Sequence, residues 1–296
     1  MTKFIELFAS GISLGFIYAL IAVGFVIVFK AMEVVNFAHG SLLLLGGYTV
    51  ARLSDRLGFV LAAVAGIVAS ALAALLIERV LLRTNRGADP TAFSIMMIGV
   101  DIVMFTELTR RIGSNVFGLG DPWGSKLVHA GSVSVPQTRV AAIVIGLLLI
   151  SAFFAVTKFT SWGVAMRASA EDGEAAALMG IRRWRVSAIA WVIAGALAAI
   201  AGIFLVSFPT PGLDNSTGLD ALKAFPAAIL GGLDSTSGAL VGGIAIGLAE
   251  TLTSGYENSL PFLGRGFGSI MPYVIMIAVL LWRPSGLFGT KAVARV

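Results

Sequence analysis

A polar cluster that could bind or guide a solute lies inside the first long apolar block of the chain. It consists of Asn36, His39, Gly40 and Ser41. Apolar residues flank it at Leu7–Phe29 and Leu42–Leu45. Polar groups are costly in hydrocarbon unless they meet partners or water, so within a membrane such groups usually line a cavity or path. Two interpretations stay open: a polar path through a membrane protein, or a short loop at the membrane surface.

A short acidic helix is predicted over about Ser169–Gly180. Ser169 stands where an N-cap would, and Asp172 follows three residues later, as in a capping box. Glu171, Asp172 and Glu174 place negative charge in the first turns, which suits the positive end of the helix dipole. Gly180 ends the helix as a C′ residue.

This helix, of about ten residues, is marginal alone in water and therefore needs a surface to lie on. Its apolar face consists of Ala175, Leu178 and Met179, at helical spacing. The surface is either the chain's own span ends or a partner protein at the membrane. From the residues alone, packing against the chain's own spans is the favoured interpretation.

Three acidic residues, Asp101, Glu107 and Glu250, lie in or near other apolar segments. Asp101 could be a proton or cation site of an ion-coupled carrier, or it could pair with a neighbouring polar group. Glu107 precedes Arg110 and Arg111 by three and four residues, the spacing of an ordinary helical ion pair.

The sequence argues against an enzyme. It contains no Gly-x-x-x-x-Gly-Lys-Ser/Thr motif, so we expect no ATP hydrolysis by the chain itself. It has no cysteine and only two histidines, and neither a Ser-His-Asp set nor a His-Glu-x-x-His motif is visible. We therefore expect no metal and no cofactor in this chain. The net charge of +5 is spread over short loops and speaks to membrane topology, not to nucleic acid.

Composition predicts a single all-α transmembrane domain over residues 1–296. The chain is 57% hydrophobic and 12% charged, with a mean hydropathy of +0.94. Soluble domains carry roughly 25% charged residues. The 35 glycines indicate helices whose backbones approach closely.

We expect about eight or nine crossings, because one crossing needs about 20 apolar residues. Seven apolar segments are clear: Leu7–Phe29, Ala38–Ala51, Leu57–Ile77, Thr91–Glu107, Val140–Thr157, Val186–Phe208 and Ser269–Trp282. Residues 219–250 are less regular, with Leu219–Leu230 and Gly238–Ala249 meeting at Gly231-Gly232. This region is either a broken helix of the kind that binds substrate in transporters or two short helices joined by a tight loop. The second interpretation is slightly favoured.

The basic loops Glu78–Asp89 and Lys158–Arg185, with the basic C-terminal tail, are expected on the cytoplasmic side. An odd number of crossings then puts the N-terminus outside and the C-terminus inside. The longest outer loop, Arg110–Arg139, either docks an external protein or serves as a plain connector.

Several segments together resemble one family, the branched-chain amino-acid ABC transporter permeases of the LivH type, from about residue 5 to 289. The segments are Gly15–Leu20, Val34–Gly40, Ala170–Ala176 with Met179–Ile181, Ala196–Gly202, Phe225–Gly232 and Arg283–Gly289. The Asn-Phe-Ala-His-Gly run and the Arg-Pro-Ser-Gly-Leu-Phe-Gly run are the most specific of these.

The resemblance implies a subunit of an importer in the inner (plasma) membrane that works with two ATP-binding subunits, a second permease subunit and an extracytoplasmic substrate-binding protein. The second permease subunit would be either identical or different. The acidic helix resembles the coupling helix that seats in an ATPase groove, with Glu174, Ala175, Ala176 and Gly180 at the motif positions. The resemblance also implies that the translocation path is lined or shaped by Asn36, His39, Gly40, Ser41, Phe225, Pro226, Gly231 and Gly232.

Two departures bear on the substrate. Ser41 stands where many relatives have an acidic residue, and Thr106-Glu107 stands about where many carry an amide-bearing stretch. The expected substrate is a leucine-like amino acid, another amino acid, an amide or urea. The alternative function is an ion-coupled secondary transporter or channel that uses Asp101.

Overall fold

The structure is a computed structural model that describes residues 2–84, 89–120, 122–123, 126–130, 133–207, 212–259 and 264–290. Helices dominate these residues, and β1 (Leu127–Ala130) and β2 (Val133–Pro136) form a small antiparallel hairpin. The helices are α1 (Thr2–Met32), α2 (His39–Leu57), α3 (Phe59–Ile77), α4 (Pro90–Ile112), α5 (Gln137–Phe159), α6 (Ser161–Glu171), α7 (Gly173–Leu178), α8 (Arg183–Ser207), α9 (Thr217–Leu222), α10 (Phe225–Gly231), α11 (Thr236–Gly255) and α12 (Phe267–Trp282). A π-helical turn, Glu78–Leu82, extends α3.

The predicted all-α multi-pass membrane fold is confirmed. Of the described helices, six are long and apolar enough to cross a membrane, namely α1, α3, α4, α5, α8 and α11. The predicted nine crossings also require α2, α12 and the α9–α10 pair. Helix α2 carries Arg52, Asp55 and Arg56 near its end, and α12 has only 16 residues. These segments are therefore weaker spans by length or hydropathy.

Helix α1 is the central helix of the bundle, and most of its length is buried against α11, α8 and α5. Small residues make this possible. A Cβ on Gly15 would fall 2.7 Å from Cα of Ile244, and one on Gly11 would fall 2.9 Å from Cα of Leu248. Since glycines lie on both helices along this contact, the backbones of α1 and α11 approach closely, as the glycine-rich composition predicts.

The two ends of the bundle can be told apart along α1, which is about 46 Å long at 1.5 Å per residue. At its N-terminal end, Lys3 Nζ lies 5.0 Å from the centre of the Tyr256 ring. At its C-terminal end, a cavity of about 570 Å³ is bordered by Lys30, by Ala170 of α6 and by Thr290. The first and last described residues of the chain therefore lie at opposite ends.

The 219–250 region contains the predicted interruption at Gly231-Gly232 and a second one that the sequence analysis did not predict. Leu219–Leu230 is not one helical piece, because α9 ends at Leu222 and α10 begins at Phe225. Pro226 explains the break: in a continuous helix its ring would clash with the carbonyl four residues earlier. Gly231-Gly232 begins the tight loop before α11, as the favoured interpretation predicted, with Gly232 at φ +101°. The second piece, Gly238–Ala249, belongs to the 20-residue α11.

Candidate functional site

The polar cluster of the first apolar block lies inside the bundle, where α2 begins. Residues 33–38 leave the end of α1 without helical structure, and α2 starts at His39. The His39 ring lies 4.7 Å from the ring of Phe25, centre to centre. Phe25 is seven residues before the end of α1, about 10 Å along the helix. The cluster is therefore packed inside the helix bundle.

Its side chains are closed off from solvent. Asn36 and His39 are fully buried, and Ser41 is almost fully buried. Within the described part of the chain, the side-chain nitrogens and oxygen of Asn36 and His39 have no hydrogen-bond partner. Buried polar groups without partners are rare and call for an explanation, such as a functional role or a bound water or ion. The interior position agrees with a path, but this conformation does not open one at these residues.

Ser41 is the member of the cluster with a clear polar partner. Its hydroxyl donates a hydrogen bond of 2.5 Å to Oδ1 of Asp101 on α4. Of the two possibilities for Asp101, the structure therefore shows pairing with a neighbouring polar group. Glu107 accepts from Arg110 at 2.8 Å and from Arg111 at 2.6 Å, so the predicted ion pairs are confirmed.

The aromatic start of α10 joins the same cluster. The Phe225 ring lies 5.2 Å from the Phe25 ring and 5.7 Å from the Phe37 ring. Next to it, the approach of α2 to α9 is tight, because a Cβ on Gly40 would fall 2.9 Å from the carbonyl oxygen of Gly218.

The structure does not bring all the proposed path residues together. Pro226 is buried in the first turn of α10, whereas Gly231 and Gly232 lie at the far end of that helix. There the amides of Leu287 and Phe288 donate to the carbonyls of Leu230 and Gly231 at 2.8 and 3.0 Å. The Gly-Gly turn is thus packed against the C-terminal segment and not against the polar cluster.

The acidic helix is shorter than predicted, and its N-cap is different. Ser169 is not an N-cap, because it lies inside α6, which continues to Glu171. Asp172 is the N-cap of α7, and its Oδ1 accepts from the amides of Glu174 and Ala175, both at 3.0 Å. An aspartate carboxylate satisfies two amides at the helix start, which favours beginning a new helix here over continuing α6.

The predicted end of the helix is confirmed. Gly180 has φ +85°, the left-handed conformation that glycine adopts without strain. The amide of Ile181 donates to the carbonyl of Ala176, and the amide of Gly180 donates to that of Ala177, both at 3.0 Å. This pair of bonds is a Schellman motif, which fixes the end of α7 and turns the chain toward α8.

The apolar side chains of α7 point away from the rest of the chain. Leu178 is 89% exposed and Met179 83% exposed, whereas Ala176, at 5%, is the buried residue of the helix. Glu171, Asp172, Glu174 and Ala175 are exposed as well. The favoured expectation that this face packs on the chain's own spans is therefore wrong. Two large apolar side chains at the tip of a capped helix are left without a surface on this chain.

A cavity of about 550 Å³ lies behind α7, at the same end of the bundle. Its walls include Ala177 and Ile181, the π-helical turn and the end of α1. Within it, the Ser187 hydroxyl donates to Oε1 of the buried Glu78 at 3.1 Å. The Arg83 guanidinium lies 4.5 Å from the centre of the Trp184 ring. Helix α7 is therefore held mainly through its connections to α6 and α8.

Sequence reasoning missed one group of charged residues inside the bundle. Asp220 and Lys223, one helical turn apart, interrupt an otherwise apolar stretch, and this was the available signal. Lys223 Nζ lies 2.8 Å from Oδ1 of Asp220 and 3.5 Å from Oε1 of Glu250. The Tyr18 hydroxyl donates to Oε2 of Glu250 at 2.7 Å. The sequence placed Glu250 near a span end and assigned it no partner.

The chain is similar to known permeases along almost its whole length. Residues 7–280 match the profile of a family described as branched-chain amino acid transport system, permease component. The chain is 32% identical to the high-affinity branched-chain amino acid transport system permease protein LivH of Escherichia coli K12, over 99% of this chain and 98% of that one. It is 30% identical to BraD of Pseudomonas aeruginosa, a permease protein of the same description, over 99% and 98%. It is 31% identical to the probable LivH of Methanocaldococcus jannaschii, over 91% and 88%. No solved structure matches the chain.

Proposed function

The chain belongs to the family of branched-chain amino acid transport permease components, and from this we propose that it is the membrane-spanning subunit of an ABC importer for branched-chain or related amino acids. The whole chain acts as one transmembrane domain that provides the translocation path. It is a transport subunit and not an enzyme, and it carries no cofactor, because ATP is bound by partner subunits.

The exposed apolar tip of α7 is the observation that carries this proposal. A helix of six residues does not persist in water on its own, yet α7 is capped at both ends and presents Leu178 and Met179 outward. Such a surface is the kind that a partner covers. We assign α7, with Glu171, Asp172, Glu174, Ala175, Ala176 and Gly180, as the coupling helix that seats in a separate ATPase subunit.

Coupling then works as a shift between two arrangements of the bundle. When two ATPase subunits close on ATP, their grooves move, and a helix seated in each groove transmits the movement to α6 and α8. The path near Asn36, His39, Gly40, Ser41, Phe225 and Pro226 opens toward one side and then the other. Gly231 and Gly232 contribute by shaping the turn at the end of α10.

The assembly that this requires has further partners. We propose a second permease subunit, identical or different, that completes the path, and an extracytoplasmic binding protein that delivers the amino acid. The α7 end of the bundle faces the cytoplasm, so the N-terminus lies outside and the C-terminus inside, in the inner membrane. The comparisons favour this function over the alternative, an ion-coupled carrier that uses Asp101, because the relatives are permease components of amino acid transport systems.

Reversing one charge on α7 tests the assignment. In the complete assembly, Glu174→Arg should lower ATP-driven amino-acid uptake by about tenfold or more, because it places a cation at the positive start of a helix that seats in a partner. The matched control is Glu33→Arg, which reverses an exposed acid at the same end of the bundle. Membrane yield should be unchanged for both variants. Wild-type uptake by Glu174→Arg would show that α7 is not the coupling helix.

A further inference from the structure

A mixed charged cluster, formed by Asp220, Lys223, Glu250 and Tyr18, connects three helices in the middle of the bundle. Lys223 bridges two carboxylates, that of Asp220 at 2.8 Å and that of Glu250 at 3.5 Å. Tyr18, on the opposite side of Glu250, donates its hydroxyl at 2.7 Å. The cluster thus links one ammonium, two carboxylates and one phenol in a chain of contacts from Asp220 through Lys223 and Glu250 to Tyr18.

The depth of the cluster is fixed by Tyr18, which lies at the middle of the 31-residue α1. At that depth the surroundings of a membrane protein are hydrocarbon unless another protein or water covers the face. Charged side chains at such positions almost always face a bundle interior or a water-filled cavity.

The cluster is nevertheless not sealed inside this chain. The side chain of Asp220 is 44% exposed, that of Lys223 is 19% exposed and that of Glu250 is 11% exposed. A half-exposed carboxylate at membrane depth is incompatible with a lipid-facing surface. This face of the bundle is therefore the one that faces the water-filled path or the second permease subunit across it.

The helix break lies at the same place. Lys223 and Ala224 separate α9 from α10, and Pro226 keeps the two from joining. Interrupted helices at membrane depth free backbone groups and are tolerated where they line a cavity. On the α9 side of the break stand the charges of Asp220 and Lys223. On the α10 side stands the partly buried ring of Phe225.

We propose that the α9–α10 break is a substrate contact site, where Lys223 binds the α-carboxylate and Asp220 the α-ammonium group of a passing amino acid. This inference rests on the proposed function. The site matches a zwitterionic amino acid with an apolar side chain. Each charge of the amino acid meets an opposite charge of the protein, and its side chain contacts the Phe225 ring of α10. In the absence of substrate, Lys223 and Asp220 neutralise each other, as the structure shows.

The two charges exchange partners when the substrate arrives, so neither Lys223 nor Asp220 loses an opposite charge at membrane depth. Glu250 and Tyr18 position Lys223 from behind, since Glu250 accepts from both. The recognised group is the amino-acid backbone, which all branched-chain amino acids share. Discrimination among substrates with different side chains then depends on the binding protein and on the aromatic surface of α10 at Phe225.

The test uses the complete assembly in liposomes and a leucine analogue that carries a photoreactive diazirine in its side chain. Illumination during ATP-driven turnover should label peptides from residues 217–231 of the wild type. Lys223→Met should lose both the label and about nine-tenths of the uptake, while binding-protein-stimulated ATP hydrolysis persists. Lys223→Arg, which keeps the charge, should retain the label. Asp55→Asn, at an exposed acid of α2 outside the cluster, is the matched control and should behave as the wild type.

Three outcomes would overturn the inference. The first is photolabelling only outside residues 217–231, and the second is uptake by Lys223→Met at the wild-type rate. The third is a leak of amino acid through Lys223→Met without ATP, which would show that the Lys223–Asp220 ion pair keeps the path closed and does not bind substrate. If Lys223→Met does not assemble, Asp220→Asn is judged by the same criteria, because its side chain is partly exposed. Wild-type liposomes that show no ATP-driven uptake refute the proposed function itself. Wild-type uptake without label at the break refutes only this site.

Discussion

The contact between Gly24 and His39 shows how single residues hold the polar cluster inside the bundle. A Cβ on Gly24 would fall 2.5 Å from Cε1 of His39, so the ring occupies the space that any other side chain would need. The ring is fully buried and also packs on Phe25. The start of α2 can therefore pack this closely on α1 only because residue 24 is a glycine.

Adding that side chain should destabilise the protein. Gly24→Ala forces the buried imidazole to move, and overpacking of this kind costs about 1–3 kcal/mol. The thermal unfolding midpoint of the purified protein in detergent should fall. In the control, Gly99→Ala, the new Cβ meets nothing within 4 Å, so the midpoint should not fall. Equal thermal unfolding midpoints for Gly24→Ala and Gly99→Ala would show that the close contact between Gly24 and His39 does not matter for stability.

At this scale the sequence revealed the residue types but not their partners. Asn36, His39 and Ser41 were recognisable because polar side chains interrupt an apolar block. The Ser41–Asp101 hydrogen bond joins residues 60 positions apart, and the Tyr18–Glu250 bond joins residues 232 positions apart. Such pairs depend on how helices pack, which local spacing does not encode.

Among the elements, α7 combines weak intrinsic stability with strong caps. Asp172 and the Schellman motif define its ends, so its exposed tip keeps a fixed shape despite its length of six residues. In the proposed function, that fixed shape lets the helix transmit the movement of the ATPase subunit to the bundle.

Removing the apolar tip should weaken attachment of the ATPase subunits. The double variant Leu178→Ser and Met179→Ser deletes the two large exposed side chains at the end of α7, while the Asp172 N-cap and the backbone hydrogen bonds of the Schellman motif are kept. Co-purified ATPase should fall about tenfold or more, as for the loss of central apolar contacts in an interface. Leu281→Ser, at another strongly exposed leucine, serves as the control and should keep the ATPase subunits bound. Full recovery of ATPase with the double variant would contradict docking at this tip.

The contact between α1 and α11 depends on glycine in the same way along several turns. A side chain on Gly15 would meet the backbone of Ile244, which cannot move aside as a side chain can. Gly15→Leu should therefore lower the thermal midpoint and the yield of folded protein sharply. Gly99→Leu adds the same side chain on α4, where space is open, and should be tolerated. Comparable yields of the two variants would show that close α1–α11 packing is not needed.

Element boundaries were predicted where a local signal exists and missed where it does not. Gly180 marked the end of α7 correctly, because only a left-handed residue closes that motif. Ser169 was misassigned because two capping residues, Ser169 and Asp172, compete within three positions and the stronger pair of amide bonds belongs to Asp172. The loop at Gly231-Gly232 was predicted correctly, whereas the second break, between α9 and α10, was missed although Pro226 forbids a continuous helix there.

As a whole, the molecule carries different features at its two ends and in its middle. One end carries α7 and the exposed apolar tip, the middle holds the polar cluster and the charged break between α9 and α10, and the other end carries the β1–β2 hairpin. The isolated bridge between Phe117 and Leu213 ties the loop after α4 to the segment before α9. Composition alone predicted a multi-pass helical protein, because so much apolar surface cannot be hidden in water.

The division of work between this chain and its partners is the central claim, and uptake into liposomes tests it most directly. Liposomes that contain the chain with its ATPase subunits and second permease should accumulate leucine when binding protein and ATP are both supplied. Omission of either should abolish accumulation. Liposomes that contain this chain alone should accumulate nothing under a proton or sodium gradient. Gradient-driven accumulation by the chain alone would contradict the account.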